Sequence, residues 1–316
     1  MKLIEPSYQI LDQPAGLDGI YQQIEMAGRT CYRSQRPEGQ TAKNFVDRMI
    51  ASKHYAMLEH GTVYLKVPVY NANCVDFPHG ELDCVTHSPY SKISYGPAQE
   101  LEGLMDWTSR EISTECMYIT TNYRVLVEND ALCLLEYLCE PTEYHERRVT
   151  VRFTTDRGVS HEFVRHRVFS FAQESTRYCN YSKDKFGNEL TFIAPSWLNE
   201  YYYDGNTYTR IFLDSLKAAE SNYLDLLKKW EEKIPDSRYK TGFRNNPWTP
   251  QQARQVLPNA LKTELVMTGF VSDWNHFFRL RTSIIAETGK PHPDASALAD
   301  PLYKEFLSRG YIESLV

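Results

Sequence analysis

RHRVFSFAQESTRY, residues 165–178, holds four ionisable cations (Arg165, His166, Arg167, Arg177), the carboxylate Glu174, two serines and a threonine. Three readings compete for such a cluster: a solvated surface, a nucleic-acid patch, or the wall of an anion-binding site. The residues before it set its place in the chain. In RRVTVRFTTDRGVSHEF, residues 147–163, Val149, Val151 and Phe153 alternate as in a strand, and Asp156-Arg157-Gly158 supply a turn. Ser160 is then the expected N-cap of a helix carrying Phe163 and Val164, and that helix delivers the motif.

The charge of the whole chain bears on the choice. With 316 residues, the chain has room for one large domain or two ordinary ones, and its 42% hydrophobic and 24% charged residues are those of a globular protein. The net charge is −6 and the pI about 5.9. A dedicated nucleic-acid binder carries a basic excess or a long basic face. An arginine cluster on an acidic chain points instead to a pocket for a small anion. The 22 Tyr, 14 Phe and 5 Trp suit flat ligands, but a Tyr-rich core and surface account for them equally well.

The seven cysteines, at 31, 74, 84, 116, 133, 139 and 179, are odd in number and scattered, without a CxxC pair, so neither a disulfide framework nor a zinc knuckle is expected. The opening MKLIEPSYQILDQPAGL lacks the apolar run of a signal peptide. No stretch approaches the roughly 18 apolar residues of a membrane span. A cytoplasmic location is expected.

Outward from the motif, residues 16–32 and 41–60 have apolar side chains at helical spacing, and GTVYLKVPVY (61–70) alternates like a strand. Residues 71–114, with Pro78, His79-Gly80 and Pro89, read as loops. Residues 116–141 read as a strand followed by a helix that stops before Pro141. A long helix is expected from about Tyr208 to Ile234, with Leu213, Leu216, Tyr223, Leu227, Trp230 and Ile234 on one face. Another begins at Thr249 with Pro250 in its first turn. Pro258 should kink or restart it, with Leu261, Leu265, Phe277 and Leu280 continuing the pattern. One domain carrying a long insertion fits this order.

Competing chemistries fail on spacing. HEFVRH (161–166) suggests a zinc peptidase, but its histidines are five apart and diverge by about 140° around a helix, whereas zinc binding needs them stacked four apart. In HYAMLEH (54–60) they are six apart. No metal site is expected. Cys179 could be a nucleophile, its pKa lowered by neighbouring arginines, yet no base is supplied beside it. Phosphate-loop and dinucleotide signatures are absent, so any nucleotide must be held by side chains. Guanidinium forks match phosphate and carboxylate oxygens. Arg165, Arg167 and Arg177 lie with the hydroxyls of Ser175 and Thr176, and Arg254 (ARQVLP), Arg279 and Arg281 (HFFRLR) form a second set. Five or six arginines suit several anionic ligands side by side.

RHR, seven residues, then Ser (165–167 and Ser175) resembles the signature of the flavin-dependent thymidylate synthases. Four further elements match in family order: AGRTCY (27–32), KHYAMLEH (53–60), ARQVLP and HFFRLR. The resemblance covers about residues 20–67 and 148–283, leaving residues 68–147 as an insertion the family lacks. It implies an α+β fold, a mixed sheet flanked by long helices, within a single catalytic domain spanning 1–316. It also implies conversion of dUMP to dTMP with methylenetetrahydrofolate as carbon donor and reduced FAD, regenerated by NADPH, as hydride source. No covalent cysteine adduct is involved. The partners implied are small molecules and three further copies of the chain, a homotetramer with active sites between subunits, without nucleic acid or membrane.

Carried over residue by residue, the resemblance places Glu162, Arg165, Gln173, Ser175, Arg177, Arg254 and Arg281 at dUMP. Cys31, His54, Glu59, Arg165, His166, Arg167 and His276 fall at FAD, with Arg281, Ser175 and His54 nearest the chemistry. Ser175 would orient phosphate and not attack carbon. The pattern departs at Ala172-Gln173, where the family has Asn-Glu, at His276 in place of Asn, and at Glu162 in place of Gln. The rival expectations are a single-stranded nucleic-acid binding module and a flavin-free, cysteine-dependent nucleotide enzyme.

Overall fold

The computed structural model describes residues 1–69, 78–97, 115–198, 206–228, 247–287 and 289–314. The strands and helices run β1 (Lys2–Ile4), β2 (Ser7–Leu11), α1 (Gly16–Tyr32), α2 (Ala42–Ala51), a 3-10 turn (Tyr55–His60), β3 (Thr62–Pro68), α3 (His79–Thr86), β4 (Lys92–Pro97), β5 (Glu115–Asn122) and α4 (Tyr123–Glu128). After a second 3-10 turn (Leu132–Tyr137) come β6 (Arg148–Asp156), α5 (Arg157–Phe163), β7 (Ser170–Gln173), β8 (Thr191–Ile193), α6 (Thr207–Leu227), α7 (Pro250–Ala253), β9 (Lys262–Phe270), α8 (Val271–Arg281) and α9 (Pro293–Ser308). Helices and strands are both abundant, as an α+β chain requires. No helix among the described residues is long and apolar enough to cross a membrane.

The predicted strand at Val149–Phe153 lies inside the central sheet, whose antiparallel order is β2-β6-β9-β7. Strand alternation sends Val149, Val151 and Phe153 to one face, where they meet Phe163, Trp274, Phe277, Phe278 and Phe306 from α5, α8 and α9. Each fully buried aromatic contributes about 2–3 kcal/mol by removal from water. Trp274 also satisfies its ring N–H by donating to the carbonyl of Val149 at 3.1 Å. The opposite face carries Thr150 and Thr268, whose hydroxyls meet at 2.9 Å, and His60 Nδ1 lies 2.8 Å from Thr268 Oγ1. That polar contact seats the first 3-10 turn on the sheet.

A second core forms where β3-β5-β4 packs against α1, α2 and α4, through Ile20, Ile24, Phe45, Val46, Leu58, Leu65, Ile119 and Leu126. A Cβ on Gly61 would lie 2.7 Å from Ile24 Cδ1, so only glycine lets β3 begin this close to α1. A third cluster joins the parallel pair β1-β8 to α6 through Phe192, Tyr181, Leu216 and Tyr223.

Several local expectations change. Residues 71–114 are not all loop: α3 and β4 lie there, and β4 gains its order by pairing with β5, a contact distant in sequence. Residues 70–77 and 98–114 fall outside the described residues. The helix after β5 stops at Glu128, because Asp130 takes a left-handed φ of 53°, and only a 3-10 turn follows. The N-cap of α5 is Asp156, which accepts from the Val159 amide at 2.9 Å, while Ser160 sits inside the helix and donates to the Arg157 carbonyl. Pro250 does open α7, but that helix ends at Ala253. Leu265 belongs to β9, a strand buried on both faces and therefore without the alternation that would mark it as one. The long helix starts at Thr207 and is described to Leu227, so Trp230 and Ile234 lie outside the described residues.

Candidate active site

β7 pairs with β9 through Gln173↔Leu265, and the chain beyond it closes a tight turn. The Ser175 carbonyl accepts from the amides of Tyr178 (3.2 Å) and Cys179 (2.9 Å), and Ser175 Oγ accepts from the Arg177 amide at 3.3 Å. The Ser175 amide donates to the carbonyl of Cys31 at 2.9 Å, which ties this loop to the end of α1. α7 approaches from the other side. Arg254 Nη1 reaches Thr176 Oγ1 at 3.5 Å, and Arg177 Nε donates to Gln251 Oε1 at 3.0 Å. Ser175, Arg177 and Arg254, separated by almost eighty positions, are thereby gathered. Two guanidinium groups and a hydroxyl are the donor set that an anion asks for.

The loop rests on a buried ionic cluster that sequence reading missed. Glu174, only 2% exposed, accepts from Tyr181 OH at 2.8 Å and from Lys262 Nζ at 2.9 Å. Lys262 also pairs with Glu264 at 2.7 Å, and the Arg33 guanidinium lies 3.8 Å from Glu174. Burial drives the Tyr181 hydroxyl pKa far upward, so it stays a donor. Hence Glu174 is a support beneath the motif and not part of its ligand-facing charge. No periodicity or motif marks Lys262 as its partner.

Across the Cys31 junction lies a cavity of about 500 Å3 lined by Cys31, Tyr32, Phe45, Lys53, His54, Met57, Arg124 and Tyr178 among others. The Tyr32 and Tyr178 rings, from α1 and the Ser175 loop, stand 5.2 Å apart. Lys53 takes a left-handed φ of 56°, turning the chain from α2 so that exposed His54 faces the cavity. Glu59 sits behind this wall: Arg124 Nη1 donates to its Oε1 at 2.5 Å, and Arg148 Nη1 donates to its carbonyl at 3.1 Å. Burial lowers the Arg148 pKa to about 10, which leaves it charged at neutral pH. A smaller cavity, of about 150 Å3 near Asp12, Tyr64 and Arg147, holds none of the predicted site residues.

Arg281 heads a separate group. Its Nε donates to His166 Nε2 at 3.1 Å, Nη1 to Glu162 Oε2 at 2.6 Å, and Nη2 to the Glu162 carbonyl at 3.0 Å. Burial, then Arg281 and then His276, push the His166 pKa down to about 4. His166 is therefore neutral at pH 7, and accepting at Nε2 leaves its proton on Nδ1. Exposed His276 stands with its ring 6.1 Å from that of His166. Gln173 turns its amide nitrogen inward, to Ser160 Oγ at 2.9 Å and Thr263 Oγ1 at 3.3 Å. Arg165 and Arg167 flank His166 and are both exposed.

The thiols depart from expectation. Burial raises the Cys179 pKa to about 11, with Glu174 adding to the rise against Lys185, Arg33 and Lys262, so its neighbours do not make it a thiolate. Burial raises Cys31 as well. Buried Cys179 lacks the open surroundings of a reactive cysteine. Among the described residues no group of three or more His, Cys, Asp or Glu side chains could hold a metal ion.

Residues 142–307 match the family model described as thymidylate synthase complementing protein. Over 127 residues the chain is 34% identical to the flavin-dependent thymidylate synthase of Mycolicibacterium gilvum (strain PYR-GCK), which is 40% of this chain and 46% of that protein. The enzymes of the same name from Mycobacterium avium (strain 104) and Mycobacterium tuberculosis (strain CDC 1551 / Oshkosh) are 32% and 34% identical over the same shares. The match thus spans a little under half the length of these curated relatives. Among solved structures, a UMP/dUMP methylase PolB from Streptomyces cacaoi bound with 5-Br dUMP aligns with a TM-score of 0.42 at 14% identity, covering 98% of this chain and 93% of that one. The family match takes in more than half of the 316 residues, including the Ser175 loop, α7, the Arg281 group and three of the four strands of the central sheet, and the chain belongs to the thymidylate synthase complementing protein family.

Proposed function

We propose that the protein is a flavin-dependent thymidylate synthase, a single catalytic domain that converts dUMP to dTMP. The observation that carries this reading is the Ser175 amide bonded to the Cys31 carbonyl: one contact joins an arginine-hydroxyl cradle to an aromatic cavity. A nucleotide monophosphate asks for the first and a flat ring for the second. Ser175, Arg177 and Arg254 would orient the dUMP phosphate, and Arg281 the pyrimidine. Glu162 holds the Arg281 guanidinium on two hydrogen bonds and neutral His166 accepts a third, so its planar fork is fixed before substrate arrives.

The cavity beside Cys31 and His54 fits a flavin ring in chemistry: Tyr32, Phe45 and Tyr178 supply aromatic walls, and Lys53 and Arg124 supply cations for a phosphate-bearing ligand. Bound FAD, reduced by NADPH, would supply the hydride that turns the methylene carbon from methylenetetrahydrofolate into a methyl group. Arg165 and Arg167 are exposed on either side of buried His166. This suits arginines that serve a neighbouring subunit of a homotetramer. A covalent cysteine route is disfavoured by Cys179, whose burial and pKa of about 11 suppress the thiolate.

The purified protein titrated with FAD should gain a flavin absorbance that bleaches with NADPH. With dUMP and methylenetetrahydrofolate it should form dTMP, and in deuterated water the new methyl group should carry deuterium through exchange of the reduced-flavin hydrogen. A protein that stays colourless with added FAD would sink the proposal.

A further inference from the structure

Arg124 lies outside the 142–307 stretch that the family model matches, within residues 68–147, which the sequence sets apart. Its place on the cavity wall needs a cause. β5 pairs with β3 through Thr62↔Asn122, and the Tyr123 amide donates to the Gly61 carbonyl at 2.9 Å. α4 therefore starts beside the first 3-10 turn. Asn122 caps it, accepting from the Val125 amide at 3.2 Å, while Tyr123, Val125 and Leu126 bury its inner face and the Tyr123 ring meets Tyr21 edge-on. With that face anchored, Arg124 reaches out to the cavity.

Its guanidinium is held at two points, by Glu59 Oε1 at 2.5 Å and Glu128 Oε1 at 2.9 Å. Glu59 Oε2 has no protein partner among the described residues. Glu59 lies behind the wall, so its carboxylate acts by holding Arg124, which does line the cavity. We infer that Arg124 is a ligand-facing cation of the ring-binding cavity, held in place by Glu59, and that residues 115–137 are built into the site to carry it. The inference rests on the flavin reading of this cavity. It assigns a role to a segment beyond the matched stretch.

FAD titration of the full chain, followed by flavin fluorescence, tests it. Arg124→Met should weaken FAD about tenfold, and Arg124→Lys should recover part of the loss. Glu59→Gln should weaken it too, and the double variant should be no worse than Arg124→Met alone, since Glu59 acts through Arg124. Glu128→Gln, which removes only the outer contact, should leave affinity within about twofold. Circular dichroism establishes that the variants are folded, and Arg124→Gln replaces Arg124→Met if the latter unfolds. Unchanged affinity in Arg124→Met, or additive losses in the double variant, would overturn the inference while leaving the flavin reading intact. Wild-type protein that binds no FAD would overturn both.

Discussion

Replacing Lys262 with Met removes the cation between Glu174 and Glu264. Lys262 is 7% exposed and Glu174 2%, so the abandoned Glu174 carboxylate has little access to water. Breaking a buried pair by deleting one partner costs about 3–5 kcal/mol. The low end applies, because Arg33 lies 3.8 Å from Glu174 and Glu264 is 23% exposed. About 3 kcal/mol in a chain of this size lowers Tm by about 4–5 °C. Thermal unfolding followed by circular dichroism reads this directly, and dUMP affinity should fall with it, because Glu174 precedes Ser175. The double variant Lys262→Met/Glu174→Gln removes both charges yet keeps an acceptor for Tyr181, and should regain at least half of the lost stability. A single variant within about 1 kcal/mol of wild type, or a double as unstable as the single, would refute the assignment of Glu174 as a buried, paired support.

Three further outcomes are expected. His166 has a folded pKa of about 4 against an ordinary 6.5, so as pH falls the unfolded chain takes up the proton first. Stability present above pH 6.5 is lost toward pH 4, by about 3 kcal/mol, and His60, lowered to about 3, adds in the same direction; urea unfolding at stepped pH would show no such decline if these rings were solvated. Arg281→Lys keeps the charge but loses the fork held by His166 and Glu162, and should cut dTMP formation by about a hundredfold with Tm little changed; activity near wild type would remove Arg281 from the site. Cys179→Ala should destabilise the protein by about 1–2 kcal/mol through lost packing and retain turnover, whereas abolished turnover in a folded variant would restore the cysteine route.

The legible part of the molecule is the part written in local chemistry. Alternation of Val149, Val151 and Phe153 gives β6, and the helical spacing of residues 16–32 gives α1, because both patterns follow from the pitch of one element. β9 is not legible in the sequence because a strand buried on both faces has no alternation to see. β4 was missed because its order comes from β5. Ser175, Arg177, Arg254 and Arg281 could be singled out because arginine and hydroxyl groups announce anion chemistry wherever they stand.

The resemblance of RHR-x7-Ser and four further ordered elements to a known family carried the family and the fold class, and arginines on an acidic chain pointed to an anionic ligand. Tertiary structure alone decided which cation supports and which remains available. Glu174 belongs to Lys262, eighty-eight positions away, and Arg124 reaches Glu59 only because β5 lies beside β3. Burial then set the protonation states, holding His166 neutral and Cys179 a thiol. Such pairings depend on distance in space and on exclusion of water, and neither is written in the local run of side chains.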